Sequence, residues 1–72
     1  MIKTFKLEDL DCANCAAKME ADISKLPGVN KATISFMTQK LTIDADVDDL
    51  DNLLDQAQKI CAQYEPDCEI VR

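Results

Sequence analysis

Pro27-Gly28-Val29-Asn30-Lys31-Ala32-Thr33-Ile34-Ser35-Phe36-Met37-Thr38-Gln39-Lys40-Leu41-Thr42-Ile43 is the stretch whose reading decides the fold. Pro27-Gly28 stops whatever runs into it. From Val29 onward Ala32, Ile34 and Phe36 alternate with polar residues, and after a turn near Met37 to Gln39 the pair Leu41 and Ile43 resumes the alternation. Successive side chains of a strand point to opposite faces, so this pattern predicts two half-buried strands joined as a hairpin.

Outward from the hairpin, the pattern changes period on both sides. Towards the N-terminus, Ala16, Met19, Ile23 and Leu26 recur at intervals of three and four and mark the apolar stripe of a helix. Beyond the polar stretch Glu8 to Asp11, Thr4-Phe5-Lys6-Leu7 reads as a strand with Phe5 and Leu7 facing inward. Towards the C-terminus, the acidic segment Asp44 to Asp51 leads into Leu50, Leu53, Leu54, Ala57, Ile60, Cys61 and Tyr64, a second amphipathic helix with acids at its N-terminal end. Pro66 ends that helix, and Asp67 to Val71 closes the chain as a short strand with Cys68 and Ile70 on one face. The order βαββαβ predicts an α+β, ferredoxin-like sandwich, two helices on one face of a four-stranded antiparallel sheet.

Composition narrows the function. Seventy-two residues make a single domain over 1–72, close to the size at which one apolar core sustains a fold without staples. No apolar run approaches the roughly 18–20 residues of a spanning helix, and the first residues lack a signal-like apolar stretch, so a cytoplasmic location is expected. Fourteen acidic against eight basic side chains argue against nucleic acid or anionic lipid as a partner and for a partner with a basic face. Four cysteines in a reducing compartment are expected as free thiols, which points to metal binding or redox chemistry rather than a disulfide framework.

Cys12 and Cys15 are the pair placed for chemistry. They fall between the first strand and the first helix, where unpaired N–H groups and the helix dipole favour thiolates. A two-residue spacing lets both sulfurs converge on one ion. The sequence has no histidine and one such pair, so an open, exchangeable site is expected rather than a closed structural zinc centre. Asp11 adds a hard oxygen donor beside Cys12, which tilts the site towards Zn(II)-like ions and away from Cu(I). The expected metal ligands are therefore Cys12, Cys15 and Asp11, with Zn(II) or Cd(II) favoured and Cu(I) the alternative. Cys61 and Cys68 lie on apolar faces and read as buried structural thiols. Asp44 to Asp49 imitates the start of an EF-hand loop but has Asp49 and Asp55 where Gly and Glu are needed, so it reads as a solvated helix start.

Leu10-Asp11-Cys12-Ala13-Asn14-Cys15, Glu20 five residues on, and Leu26-Pro27-Gly28-Val29 closing the helix resemble the heavy-metal-associated domain family over almost the whole chain. That family comprises copper chaperones, a periplasmic mercury-binding protein and the N-terminal domains of metal-transporting P-type ATPases, all βαββαβ. The form with Asp before the first cysteine is similar to zinc, cadmium and lead exporters. Two positions depart from the family pattern. Asp9 stands for the usual Gly, though Asp tolerates positive φ better than most residues, and Leu10 stands for the usual Met, a swap that costs under about 1.5 kcal/mol. The resemblance also brings the loop around Tyr64-Glu65-Pro66 beside the metal loop, with Glu65 towards the ion, while Glu20 is expected to face solvent.

The function this implies is a binding module, not an enzyme. It would take a heavy-metal ion and pass it to a metal-transporting P-type ATPase or another metal-binding domain, acting as a metallochaperone or as a regulatory domain of such an ATPase. The alternative from a different class is a thiol–disulfide or redox-sensing protein using the same pair. The domain is expected as a monomer, with two open sites facing each other as the route to a metal-bridged dimer.

Overall fold

In the computed structural model, which describes Met1–Arg72, the elements run β1 (Ile2–Glu8), α1 (Ala13–Ser24), β2 (Val29–Ser35), β3 (Lys40–Ala45), α2 (Leu50–Tyr64) and β4 (Glu69–Val71). The strands form one antiparallel sheet in the order β2-β3-β1-β4, and both helices pack against it. This is the ferredoxin-like sandwich expected from the sequence.

The hairpin carries one irregularity that explains its spacing. Val29 pairs with Ala45 but Lys31 pairs with Asp44, so a bulge intervenes and shifts the inward set from Val29 to Ala32 and Ile34. Turning the chain from α1 into β2 needs Gly28, whose φ is 86°; a Cβ there would lie 2.4 Å from Val47 Cγ1.

The core is a single cluster of fifteen buried residues, among them Leu7, Met19, Ile23, Leu41, Ile43, Leu54, Cys61 and Cys68, with no buried polar or charged residue. Both edge strands are covered by side chains of the helix beside them. On β2, Glu20 Oε2 accepts from Ile34 N–H at 2.7 Å and Ser24 Oγ accepts from Ala32 N–H at 3.2 Å. On β4, Gln58 donates to Cys68 C=O at 2.7 Å and accepts from Ile70 N–H at 2.8 Å. Exposed edges invite pairing with another chain, and these contacts occupy the groups that would do so. Glu20 therefore faces the β2 backbone rather than solvent.

Candidate metal centre

Cys12 is the N-cap of α1. Its backbone is extended (φ −122°, ψ 113°), its carbonyl accepts the first helical bond from Ala16 N–H, and its Sγ accepts from Cys15 N–H at 3.1 Å. A sulfur thus takes the role that a Ser or Asp oxygen fills at most helix starts. Cys15 lies in the first turn, its sulfur within 4.8 Å of that of Cys12. Both residues are half-buried, and Cys15 packs against the edge of the core.

The two thiols divide a proton unequally. The hydrogen bond from the Cys15 side chain, then the Cys15 backbone N–H, draws the Cys12 thiol below its ordinary pKa, against the opposing effects of burial and the Glu65 charge. The same bond to Cys12 raises Cys15, helped by desolvation and by the negative charges of Cys12 and Glu65; Lys18 pulls the other way with the smallest influence. Cys12 is therefore the readier of the two to lose its proton, and a bound cation would displace protons from both.

Glu65 completes the group from the opposite side. It caps α2, donating its N–H to Cys61 C=O at 2.8 Å and accepting at its own carbonyl from Cys68 N–H at 2.9 Å. With its backbone pinned on both sides, its carboxylate reaches the cysteines, and one oxygen lies with the two sulfurs within a mutual 4.8 Å. Tyr64 fastens the same corner, donating its hydroxyl to the Asp22 carboxylate on α1. Asp11 is exposed and is not among the donors gathered there. Cys61 and Cys68 are buried in the core and do not join the group either.

The loop before Cys12 has an unusual backbone. Asp9 adopts φ 60°, the left-handed conformation that suits the glycine expected at this position. Leu10 then turns its side chain into the core at 2% exposure, filling the place of the family's methionine. Farther along, Asp49 caps α2 through Asn52 N–H, so the EF-hand-like run is a helix start as expected.

The pattern that defines the heavy-metal-associated domain matches residues 4–64. The chain belongs to the heavy-metal-associated domain family. A zinc/cadmium/lead-transporting P-type ATPase of Escherichia coli (strain K12) is 44% identical over 45 residues, which is 62% of this chain and 6% of the transporter. A probable copper-importing P-type ATPase A of Enterococcus hirae is 36% identical over 42 residues, 58% of this chain and 6% of that one. The chain thus spans about 6% of the length of these relatives. Among solved structures, a CopZ metallochaperone superposes with a TM-score of 0.71 at 15% identity, covering 99% of this chain and 100% of that one, and so shares the fold. A heavy-metal-associated domain is a metal-binding module built around a Cys-x-x-Cys, not an enzyme. Relatives named for zinc, cadmium and lead stand beside one named for copper, so the choice of ion falls to the donor set of this chain.

Proposed function

We propose that Cys12 and Cys15 hold a Zn(II), Cd(II) or Pb(II) ion as thiolates, that Glu65 supplies a third donor, and that the ion is handed on by ligand exchange. The observation that carries this reading is the convergence of two sulfurs and one carboxylate oxygen within 4.8 Å of one another on the half-buried rim of the fold. Two thiolates satisfy Cu(I), which takes few, soft ligands, whereas a carboxylate adds little to Cu(I) and much to a divalent borderline ion. Asp11 stands outside that group and contributes negative charge at the loop, with direct ligation reserved for an ion that draws the loop in.

Three protein donors leave a tetrahedral ion one position short, and that open position is where an incoming thiolate enters before Cys12 or Cys15 leaves. The partner is a metal-transporting P-type ATPase or another domain of this kind, in the cytoplasm, with residues 1–72 acting as one monomeric unit. The likeness to the zinc/cadmium/lead-transporting ATPase supports this choice of partner. The test is competitive titration of the reduced protein with Zn(II), Cd(II) and Cu(I) against chelators. Glu65→Ala is expected to weaken Zn(II) and Cd(II) roughly ten-fold or more while leaving Cu(I) nearly unchanged, and Asp11→Ala to do less than Glu65→Ala. Tight binding of Cu(I) alone, indifferent to both carboxylates, would turn the protein into a copper carrier.

A further inference from the structure

We infer that Gln39, in the turn between β2 and β3, is a positioning residue of the metal loop: its side-chain amide clamps the backbone of Leu10 and so sets where Cys12 stands. The proposal rests on the two-thiolate reading above. Gln39 Oε1 accepts from Leu10 N–H at 3.1 Å, and Gln39 Nε2 donates to Leu10 C=O at 2.8 Å. One planar amide thus satisfies both backbone groups of a single residue, much as a neighbouring strand would. The second Nε2 hydrogen goes to Phe36 C=O at 2.9 Å, which fixes the amide to its own turn. The Gln39 carbonyl also accepts from Leu7 N–H at 2.7 Å, so β1 is tied to the turn just before the loop departs.

The clamp falls where the loop has least support of its own. β1 ends at Glu8, Asp9 is left-handed, and no helical bond forms until Ala16 N–H meets Cys12 C=O. Between them Leu10 is anchored by its buried side chain and by Gln39. A buried leucine fixes position along one direction, while the two amide bonds fix the orientation of its peptide planes, and Cys12 follows two residues later. Only a side chain with both a donor and an acceptor at this length makes both bonds. Glutamate keeps the acceptor and loses both donors, and methionine loses everything. Gln39 holds its own backbone at φ 56° to make this reach, a conformation uncommon for residues other than glycine and asparagine. A turn that served only to reverse the chain would do so more easily with glycine.

The functional consequence is preorganisation. The two sulfurs and Glu65 come from different elements, and Glu65 is pinned independently through Cys61 and Cys68. Loosening the loop that carries Cys12 changes the distance between fixed and mobile donors, which weakens the ion without touching any ligand. Gln39→Gly removes the clamp and suits the left-handed backbone, so the turn and the Leu7 bond survive. Gln39→Asn keeps an amide and a left-handed preference but is one methylene short of Leu10.

The experiment measures Zn(II) affinity by chelator competition, the Cd–thiolate charge-transfer band, apo-state hydrogen exchange at the Leu10 amide, and urea stability. Wild type, both Gln39 variants and Cys12→Ser/Cys15→Ser are compared. Both Gln39 variants are expected to bind Zn(II) roughly ten-fold more weakly, the scale on which loss of an outer-shell partner is felt, with an altered Cd–thiolate band and faster Leu10 exchange. Affinity within about two-fold of wild type, well short of an outer-shell loss, with an unchanged band would overturn the proposal even if stability falls, because the clamp would then be structural only. If instead the double cysteine variant binds Zn(II) as well as wild type, the site reading itself fails, and Gln39 falls with it for a different and visible reason.

Discussion

Two pairs of cysteines in one small domain meet opposite surroundings, one pair at a helix start and the other in the core. Cys12 and Cys15 sit at the N-terminus of α1, half-buried, with a backbone N–H and a partner thiol both directed at Cys12. Cys61 and Cys68 sit at 0% and 1% exposure, one in the last turn of α2 and one just before β4. Burial in the apolar core pushes the Cys61 thiol up to about 12, with the Cys68 charge adding to it, and burial raises Cys68 as well. The helix dipole reinforces the contrast, since it favours an anion at the start of α1 and disfavours one near the end of α2. A helix start favours the thiolate that a metal needs, and the interior suits cysteine as a small hydrophobe.

The sharpest way to break this contrast is to remove each pair in turn. Cys12→Ser/Cys15→Ser is expected to weaken Zn(II) and Cd(II) by more than roughly 100-fold, beyond the range of outer-shell losses, with little change in urea stability of the metal-free protein. Cys61→Ala and Cys68→Ala should do the reverse. Each deletes one buried heavy atom, comparable to losing a core methylene, and costs about 1 kcal/mol of stability while leaving metal affinity nearly intact. If the core variants lose metal affinity as steeply as the surface ones, Cys61 and Cys68 belong to the site and the division is wrong.

That division was largely legible in the sequence, because it follows from period and position. Cys61 shares the apolar stripe of Leu54 and Ala57, and Cys12 precedes the stripe of Ala16, Met19 and Ile23; both placements hold. The element order was legible for the same reason, since the hairpin and its flanking helices differ in period. Long-range polar contacts left no such trace. Glu20 reads as a solvent-facing helix residue until the topology places β2 at the sheet edge and gives it an unpaired Ile34 N–H to accept from. Gln39 reads as one more polar turn residue, and only the folded chain brings it to Leu10, twenty-nine positions away. Glu65 was reachable through the family resemblance and not through any local spacing, because its approach to the cysteines depends on how α2 ends. Asp11, a ligand candidate by adjacency in sequence, is exposed and outside the group of three donors in the metal-free fold, so its part rests on the Asp11→Ala titration.

A smaller effect that sharpens the comparison is differential alkylation. In the folded, metal-free protein, iodoacetamide is expected to modify Cys12 first, because its thiolate forms below the ordinary thiol pKa, and Cys15 more slowly, because its pKa is raised. Cys61 and Cys68 should stay unmodified until urea opens the core. Peptide mass spectrometry over time reads all four sites. Zn(II) should protect Cys12 and Cys15 and leave the other two unchanged; modification of Cys61 at the rate of Cys12 would mean that the core opens locally around α2.

The last effect lies at alkaline pH, outside the range in which the domain would ordinarily work. Cys61 has an ordinary thiol value of 9.0 when the chain is unfolded and about 12 when folded. Below 9 both states carry the proton, so the full contribution of the buried thiol is present and stability does not depend on its titration. Between 9 and 12 the unfolded chain releases the proton and the folded one retains it, so the unfolded state gains and stability falls as pH rises, with a slope of at most about 1.4 kcal/mol per pH unit from this group. Urea denaturation at successive pH values should therefore show wild type losing stability above pH 9 more steeply than Cys61→Ala, the two curves drawing together and then crossing as pH rises. Parallel curves through that window would mean that the Cys61 thiol meets solvent in the folded state, and the line drawn between the ligand pair and the core pair would have to move.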